Sequence, residues 1–193
     1  GEDPAGAQTY MIIGGIGGFI MAMVTAFRPK SANITAPIYA LLEGLLLGGL
    51  SAVINLAYPG VAMQAVLLTM GTLFTMLIVY RSGAIRATPK FRRGIIMATG
   101  GIVFAYFISF IFSMFGINLG YMQSAGPIGI LINLVVLAVA ALNLILDFDF
   151  IEQGENMGAP KYMEWYGAFG LIVTLVWLYI EFLRLLSRFS SRN

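Results

Sequence analysis

The chain contains neither cysteine nor histidine. Without cysteine, disulfide bonds and thiolate metal sites are excluded, and the redox compartment cannot be inferred. Without histidine, Ser-His hydrolase chemistry, helical His-Glu metalloprotease sites and histidine proton relays are excluded. Charge is also scarce, at 10% of residues with a net charge of +2, which indicates no nucleic-acid partner. What remains is a strongly apolar chain, 59% hydrophobic with a mean hydropathy of +0.88.

Six stretches of about 20 predominantly apolar residues predict membrane-spanning helices. They cover residues 9–27, 36–57, 60–80, 94–115, 124–147 and 165–187. The ten-residue alternating segments of a membrane β-barrel are absent. The sequence therefore predicts an all-α polytopic membrane helix bundle, one domain over residues 1–193, with the lipid bilayer as its surroundings.

Basic residues indicate the orientation, because Lys and Arg accumulate in cytoplasmic loops. Seven lie in the loops after the first and third spans: Arg28, Lys30, Arg81, Arg86, Lys90, Arg92 and Arg93. The turns Ala57–Gly60 and Gly116–Gln123 carry no charge. This pattern puts the basic loops and the loop Asp149–Glu164 inside, although the basic residues of the C-terminus argue for the opposite side there. It also puts residue 1 outside, which is simplest if another helix precedes it.

Two glycine pairs have the spacing of close helix contacts in membranes. Gly14 and Gly18 lie in the first span, and Gly44 and Gly48 lie in the second. We expect both pairs to pack against neighbouring helices.

Three carboxyl groups inside apolar spans are the strongest functional candidates. A charge at membrane depth costs roughly 2.5–3.5 kcal/mol on insertion scales and usually faces the bundle interior. At about 1.5 Å per helical residue, Glu43 lies about 10 Å from the inner surface and Asp147 lies near that surface. Glu181 lies about 24 Å along the last span, in its outer third.

The predicted inner cluster therefore contains Arg28, Glu43, Asn143 and Asp147. Asp147 and Asp149 are two positions apart, so they face different neighbours. The alternative for the acidic residues around Asp149 is a solvated helix end. Glu181 has the i,i+3 spacing to pair with Arg184, a structural role that competes with a functional one.

Four segments carry a family resemblance: Leu144–Gly154, Leu178–Leu186, Tyr39–Gly44 and Tyr58–Gly60. The first, in which Ile151 follows Asp147 by four positions, resembles the penultimate-helix signature of the Bax inhibitor-1 family. The second resembles the last helix of that family, and the other two resemble its bacterial branch. The resemblance implies a seven-helix protein of a bacterial inner membrane, with the first helix absent from this sequence.

Members of that family are described as pH-sensitive calcium-leak channels, and some as modulators of cell death or membrane proteolysis. In the channel picture, two carboxyls near the cytoplasmic mouth form a proton-sensitive pair that an arginine can latch. The resemblance assigns Asp147 to the first carboxyl and Arg28 to the latch. An ungapped alignment puts Thr174 at the second carboxyl, and Glu43 would then supply the partner. The alternative, with a longer preceding loop, puts Glu181 there.

Two functional hypotheses follow. In the first, the chain is a pH-sensitive cation leak, with Asp147, Glu43, Glu181 and Asp149 as candidate pathway residues. Asp147 and Glu43 would bind Ca²⁺ weakly as the permeant ion, without any resident cofactor. Two close carboxyls in low dielectric cannot both ionise cheaply, and protonating one would change helix packing.

In the second hypothesis, the chain is a non-conducting protein that modulates partners such as a membrane protease or stress and cell-death factors. We expect no enzymatic activity. The remaining option without histidine or cysteine, a two-aspartate intramembrane protease, needs a second aspartate at the same depth.

Overall fold

The structure is a computed structural model that describes residues 4–116 and 126–191. Within these ranges the chain forms six long helices joined by short connections. They are α1 (Pro4–Phe27), α2 (Ala32–Ala57), α3 (Val61–Arg81), α4 (Pro89–Met114), α5 (Pro127–Asn156) and α6 (Tyr162–Ser190), with a 3-10 turn at Pro29–Ser31. Each helix contains a segment long and apolar enough to cross a membrane. The prediction of an all-α bundle with six spans is confirmed, and the chain is an integral membrane protein.

Some sequence predictions fall beyond the described ranges. These are residues 117–123 of the uncharged outer turn, residues 124–125 of the fifth span, and Arg192. The described helices agree with the predicted spans in the apolar centres and differ at the ends.

The largest difference is at the end of α5. The predicted loop Asp149–Glu164 is wrong in its first half, because α5 continues to Asn156. The chain turns at Gly158, where φ is +62°, a left-handed conformation that favours glycine. Polar side chains do not by themselves end a helix, and no proline interrupts residues 149–156. The acidic residues from Asp149 onward therefore lie on the last helical turns of α5.

Helix α6 is the centre of the bundle. It packs against α2, α3 and α5, whereas α1 packs on α2 and α4 packs on α5. Leu144 and Leu178 are fully buried in the core where α5 and α6 meet. Side chains on the outer helices, such as Phe27 and Phe74, are exposed and form the apolar surface that lipid would cover.

The two glycine pairs differ in their surroundings. Gly14 and Gly18 face α2 so closely that an added Cβ would lie 2.5 Å from the Leu42 carbonyl oxygen and 2.9 Å from Glu43 Oε1, respectively. For this pair the expected helix contact is confirmed. For Gly44 and Gly48 it is wrong within the described residues, because no heavy atom lies within 4 Å of an added Cβ. Glycine spacing marks a surface that permits close approach, and it does not identify which glycine pair is used.

Candidate functional site

Helices α2 and α6 run in the same direction, which fixes the depth of their residues relative to one another. The rings of Tyr39 and Phe169 pack edge to face with centroids 5.0 Å apart. Nearer the C-terminal ends of both helices, the hydroxyls of Ser51 and Tyr179 are hydrogen bonded at 2.6 Å. Glu43 follows Tyr39 by one helical turn, so it lies at the level of residues 172–173 of α6.

Asp147 contacts the same part of α6 from the side of α5. The Thr174 hydroxyl donates a hydrogen bond to Asp147 Oδ2 at 2.6 Å. Gly170 lies beside the carboxyl, and an added Cβ there would be in ordinary van der Waals contact with Oδ1, at 3.6 Å. Asp147 is partly buried and has no cationic partner among the described residues. The residue that the ungapped alignment puts at the second carboxyl position thus contacts the first.

Glu43 is buried, with 9% of its surface exposed. Its Oε2 has no hydrogen-bond partner within the described part of the chain. The glycine at position 18 of α1 provides the space that the carboxyl occupies. Tyr39, one turn earlier on α2, lies within electrostatic range of it. Glu43 is therefore a carboxyl group at membrane depth whose hydrogen-bonding capacity is incompletely used.

The two carboxyls lie at one depth on helices that both pack on α6, but the Glu43 carboxyl faces Gly18 of α1, whereas Asp147 contacts α6 itself. No hydrogen bond joins Glu43 to Asp147. The structure thus places the two groups together in depth, with the α6 backbone between their helices.

Three other predicted site residues lie elsewhere. Arg28 is exposed and forms no ion pair with a described carboxylate. Asn143 donates to the Thr99 hydroxyl of α4 at 2.8 Å, away from the flank of α5 that Asp147 presents to α6. Asp149 forms an ion pair with Arg92 of α4 and accepts a hydrogen bond from Gln153 at 2.7 Å. The predicted inner cluster is therefore not assembled as a single group of contacts.

Glu181 belongs to a second group, here termed the outer polar centre: Glu181, Arg184, Tyr106 and Asn133. Glu181 is 1% exposed and pairs with Arg184 at 2.9 Å, as the i,i+3 spacing predicted. Asn133 donates to its Oε2 at 2.7 Å, and the Tyr106 hydroxyl donates to its Oε1 at 3.1 Å. The Arg184 guanidinium also lies over the Tyr106 ring, 5.3 Å from its centroid.

Tyr106 belongs to this centre, although the sequence gave it no apparent role. It lies in an aromatic-rich part of α4, where one tyrosine among several phenylalanines is typical of lipid-facing filler. The only available signal was its hydroxyl, since a phenol within an apolar span requires a hydrogen-bond partner.

No group of three or more carboxylates in the described ranges is arranged to hold a metal ion. Glu43 and Asp147 thus lie on separate helices and are not part of such a group.

Comparison with known proteins gives one positive result. A family model described as Bax inhibitor 1 like matches residues 3–191, nearly the whole chain. A search of curated proteins found no match, and neither did a search of solved structures.

Proposed function

The chain belongs to the Bax inhibitor 1-like family, as the resemblance predicted, and we propose that it is a pH-sensitive leak pathway for calcium or related cations. We further propose that it acts in the plasma membrane of a bacterium. One observation carries this proposal. Glu43 and Asp147 lie at the same depth, and neither has a cationic partner among the described residues.

The energetics of unpaired carboxyls in a membrane support an ion-related role. A carboxylate without a cation is costly at this depth, so a proton or a passing cation stabilises it. Calcium prefers oxygen ligands, and a pathway requires contacts weak enough to release the ion again. Glu43 and Asp147 provide separate oxygen donors of this kind. In this proposal, protons and cations compete for the same two groups.

Protonation of Asp147 would directly affect the packing of α6. Thr174 donates to Asp147, so a proton on that carboxyl weakens one of the polar contacts between α6 and α5. On its other flank, α6 is held by the packing of Phe169 on Tyr39, one turn from Glu43. In this proposal, a change of charge on Asp147 or Glu43 alters how α6 packs against its neighbours. Helix α6 is thus the element that would move in the switch.

Arg28 retains its proposed role as a latch. It immediately precedes the turn Pro29–Ser31, which packs against α6. The exposed Arg28 side chain therefore lies next to a turn that contacts α6, the helix that carries Thr174. In the proposal it approaches the ionised carboxyls and withdraws when they are protonated.

Purified protein in liposomes loaded with a calcium dye tests the proposal. We expect calcium efflux that depends on pH, and we expect Asp147→Asn and Glu43→Gln to remove that dependence. Asp149→Asn is the matched control, because Asp149 is paired with Arg92 on another helix. Efflux from both site variants equal to that of the unmodified protein at every pH would exclude this mechanism.

The alternative function is a non-conducting modulator of a membrane protease or of stress and cell-death factors. It is favoured by Gly44 and Gly48, which have open space beside them on α2, as a docking face for a partner helix would. The same liposomes separate the two functions. Protein that conducts at no pH, yet retains such a partner through purification, would be a modulator. We propose no catalytic activity for either.

A further inference from the structure

We propose that a cavity at the end of the bundle where α3 and α5 both finish binds the zwitterionic head group of one phosphatidylethanolamine. The cavity has a volume of about 670 Å³, within the range of roughly 300–1,000 Å³ that is typical of small-molecule sites. It is lined by the end of α3, the loop that follows it and the end of α5, and we refer to it as the charged cavity. Neither Glu43 nor Asp147 lines it, so this inference does not depend on the proposed leak.

The charged cavity contains two positive and two negative side chains that do not pair with one another. Arg81 and Arg86 line it, and neither side chain has a hydrogen bond or ion pair with another described residue. The Glu155 side chain on the facing helix has no such partner either, and the Glu152 carboxylate accepts a hydrogen bond only from the Tyr80 hydroxyl. Opposite charges therefore share one space outside ion-pair distance, which leaves both signs available to a ligand.

The sum of these charges favours a zwitterion. The remaining charged lining residue, Asp149, is already compensated by Arg92, which lies outside the cavity. The other two arginines and two glutamates sum to zero, so a simple anion or cation would match only one pair. The phosphate of phosphatidylethanolamine accepts the parallel hydrogen bonds that a guanidinium donates. Its primary ammonium has three N–H donors for the carboxylates, as a lysine side chain does.

The polarity of the lining changes in the same sense along both helices. Leu77 precedes Arg81 by one turn on α3, and Phe148 precedes Glu152 by one turn on α5. Because both helices finish at this end, the apolar side chains lie on the bilayer side of the charges. A phospholipid bound here would place its head group at the charges and the start of its chains on the apolar side chains. A soluble zwitterion would use the charged part alone.

The loop positions one of the two arginines. Gly83 has φ +71°, a left-handed conformation that favours glycine. A Cβ added there would lie 3.7 Å from Arg86 Nε and 3.8 Å from Nη2, so the guanidinium lies beside this turn. The loop ends at Thr88, whose hydroxyl accepts a hydrogen bond from the Phe91 amide at 3.2 Å and caps α4. The left-handed turn and the cap together fix the loop that carries Arg86.

The first test measures which lipid the purified full chain retains. The protein in detergent is supplied with equal amounts of phosphatidylethanolamine and phosphatidylcholine, whose quaternary ammonium has no N–H donor, and bound lipid is counted by native mass spectrometry. We expect about tenfold preference for phosphatidylethanolamine, the effect of one charge-assisted hydrogen bond. Glu155→Gln should reduce this preference. Glu164→Gln should not, because Glu164 is an exposed glutamate in the first turn of α6, outside the cavity.

Three outcomes of this test would overturn the proposal. The first is equal retention of the two lipids by the unmodified protein, and the second is an unchanged preference in Glu155→Gln. The third is retention of phosphatidylglycerol as strong as that of phosphatidylethanolamine, since the former has no ammonium and would indicate a simple anion site.

A second pair of variants tests the space itself. Ala87 lines the cavity, so Ala87→Trp should fill it and reduce phosphatidylethanolamine retention. Ala84→Trp is the matched control, because Ala84 is exposed in the same loop and lies outside the cavity. Equal retention by the two variants would contradict the proposal. Soluble glycerophosphoethanolamine separates the lipid from a free zwitterion. The assignment to a lipid is wrong if this head group displaces phosphatidylethanolamine at equal concentration.

Discussion

Gly14 allows α1 to approach the backbone of α2, so Gly14→Ala is predicted to destabilise the bundle. An added Cβ would lie 2.5 Å from both the carbonyl oxygen of Leu42 and the backbone nitrogen of Leu46. Both atoms belong to the backbone, so no change of rotamer relieves the overlap. The helices would have to separate over the whole contact.

Gly15→Ala provides the control for this prediction. Its added Cβ would meet only the end of the Leu46 side chain, at 3.7 Å. Both substitutions gain the helix propensity of alanine over glycine, about 0.5–1 kcal/mol, and this gain cancels in the comparison. What remains is the overpacking at position 14, typically about 1–3 kcal/mol. We therefore expect the free energy of unfolding of Gly14→Ala to be lower than that of Gly15→Ala by about that amount.

Thermal or chemical unfolding in detergent measures this difference. Because α1 packs mainly on α2, the loss can also appear as local separation of α1, seen as faster hydrogen exchange of its amides. The Thr25 hydroxyl, which donates to Thr35 of α2 at 2.8 Å, reports on the same contact. If Gly14→Ala were as stable as Gly15→Ala, with unchanged exchange in α1, the described close approach would be incorrect.

Two further predictions concern the polar contacts of α6. Thr174→Val should lower the free energy of unfolding by about 1–3 kcal/mol at neutral pH, because Asp147 loses its donor, whereas Thr174→Ser should not. The Thr174 hydroxyl stabilises the ionised carboxyl of Asp147. Thermal melts should therefore show a smaller stability difference between Thr174→Val and the unmodified protein as the pH falls and Asp147 takes up a proton. A stability difference independent of pH would contradict this. Glu181→Leu should lower the free energy of unfolding by roughly 2 kcal/mol. This loss is smaller than that expected on breaking a fully buried ion pair, because the Arg184 side chain is 38% exposed. In a double-mutant cycle the Glu181→Leu, Arg184→Leu variant should recover most of that loss, and strictly additive losses would exclude the coupling.

The helices were predictable from sequence because lipid imposes a strong constraint. Backbone groups in the bilayer must be hydrogen bonded internally, so a long apolar run has little alternative to a helix. The pairing of Glu181 with Arg184 was predictable for a similar reason, since both lie on one helix at a fixed spacing. The end of α5 was not, because residues 149–156 are mostly polar yet remain helical beyond the apolar run.

The arrangement of the site was less predictable, since depth along a helix gives one coordinate of three. The sequence placed Glu43 and Asp147 in the inner half of the bundle, and the structure agrees, since Tyr39, one turn before Glu43, packs on Phe169 of α6 and Asp147 bonds to Thr174 of α6. It gave no indication that α6 would lie between their helices. Side chains that face lipid and side chains that face protein are both apolar here, so the hydrophobic pattern does not reveal which helices are neighbours. Asn143 illustrates this, as it bonds to Thr99 of α4, on a different helix from the partner of Asp147.

The polar contacts of α6 at its two levels differ in how far each depends on a single ionisable group. At the outer polar centre, Glu181 is held by Arg184, Asn133 and Tyr106, so neutralising the carboxyl still leaves several partners in place. At the inner level, the polar contact is one hydroxyl on one carboxyl, without a cation, beside the apolar packing of Phe150 on Tyr166. Because this polar contact depends on a single ionisable group, we expect acidification to loosen the inner half of α6 first. The outer half then acts as the fixed point, and the motion proposed for the leak is largest near Thr174, where calcium would meet the carboxyls.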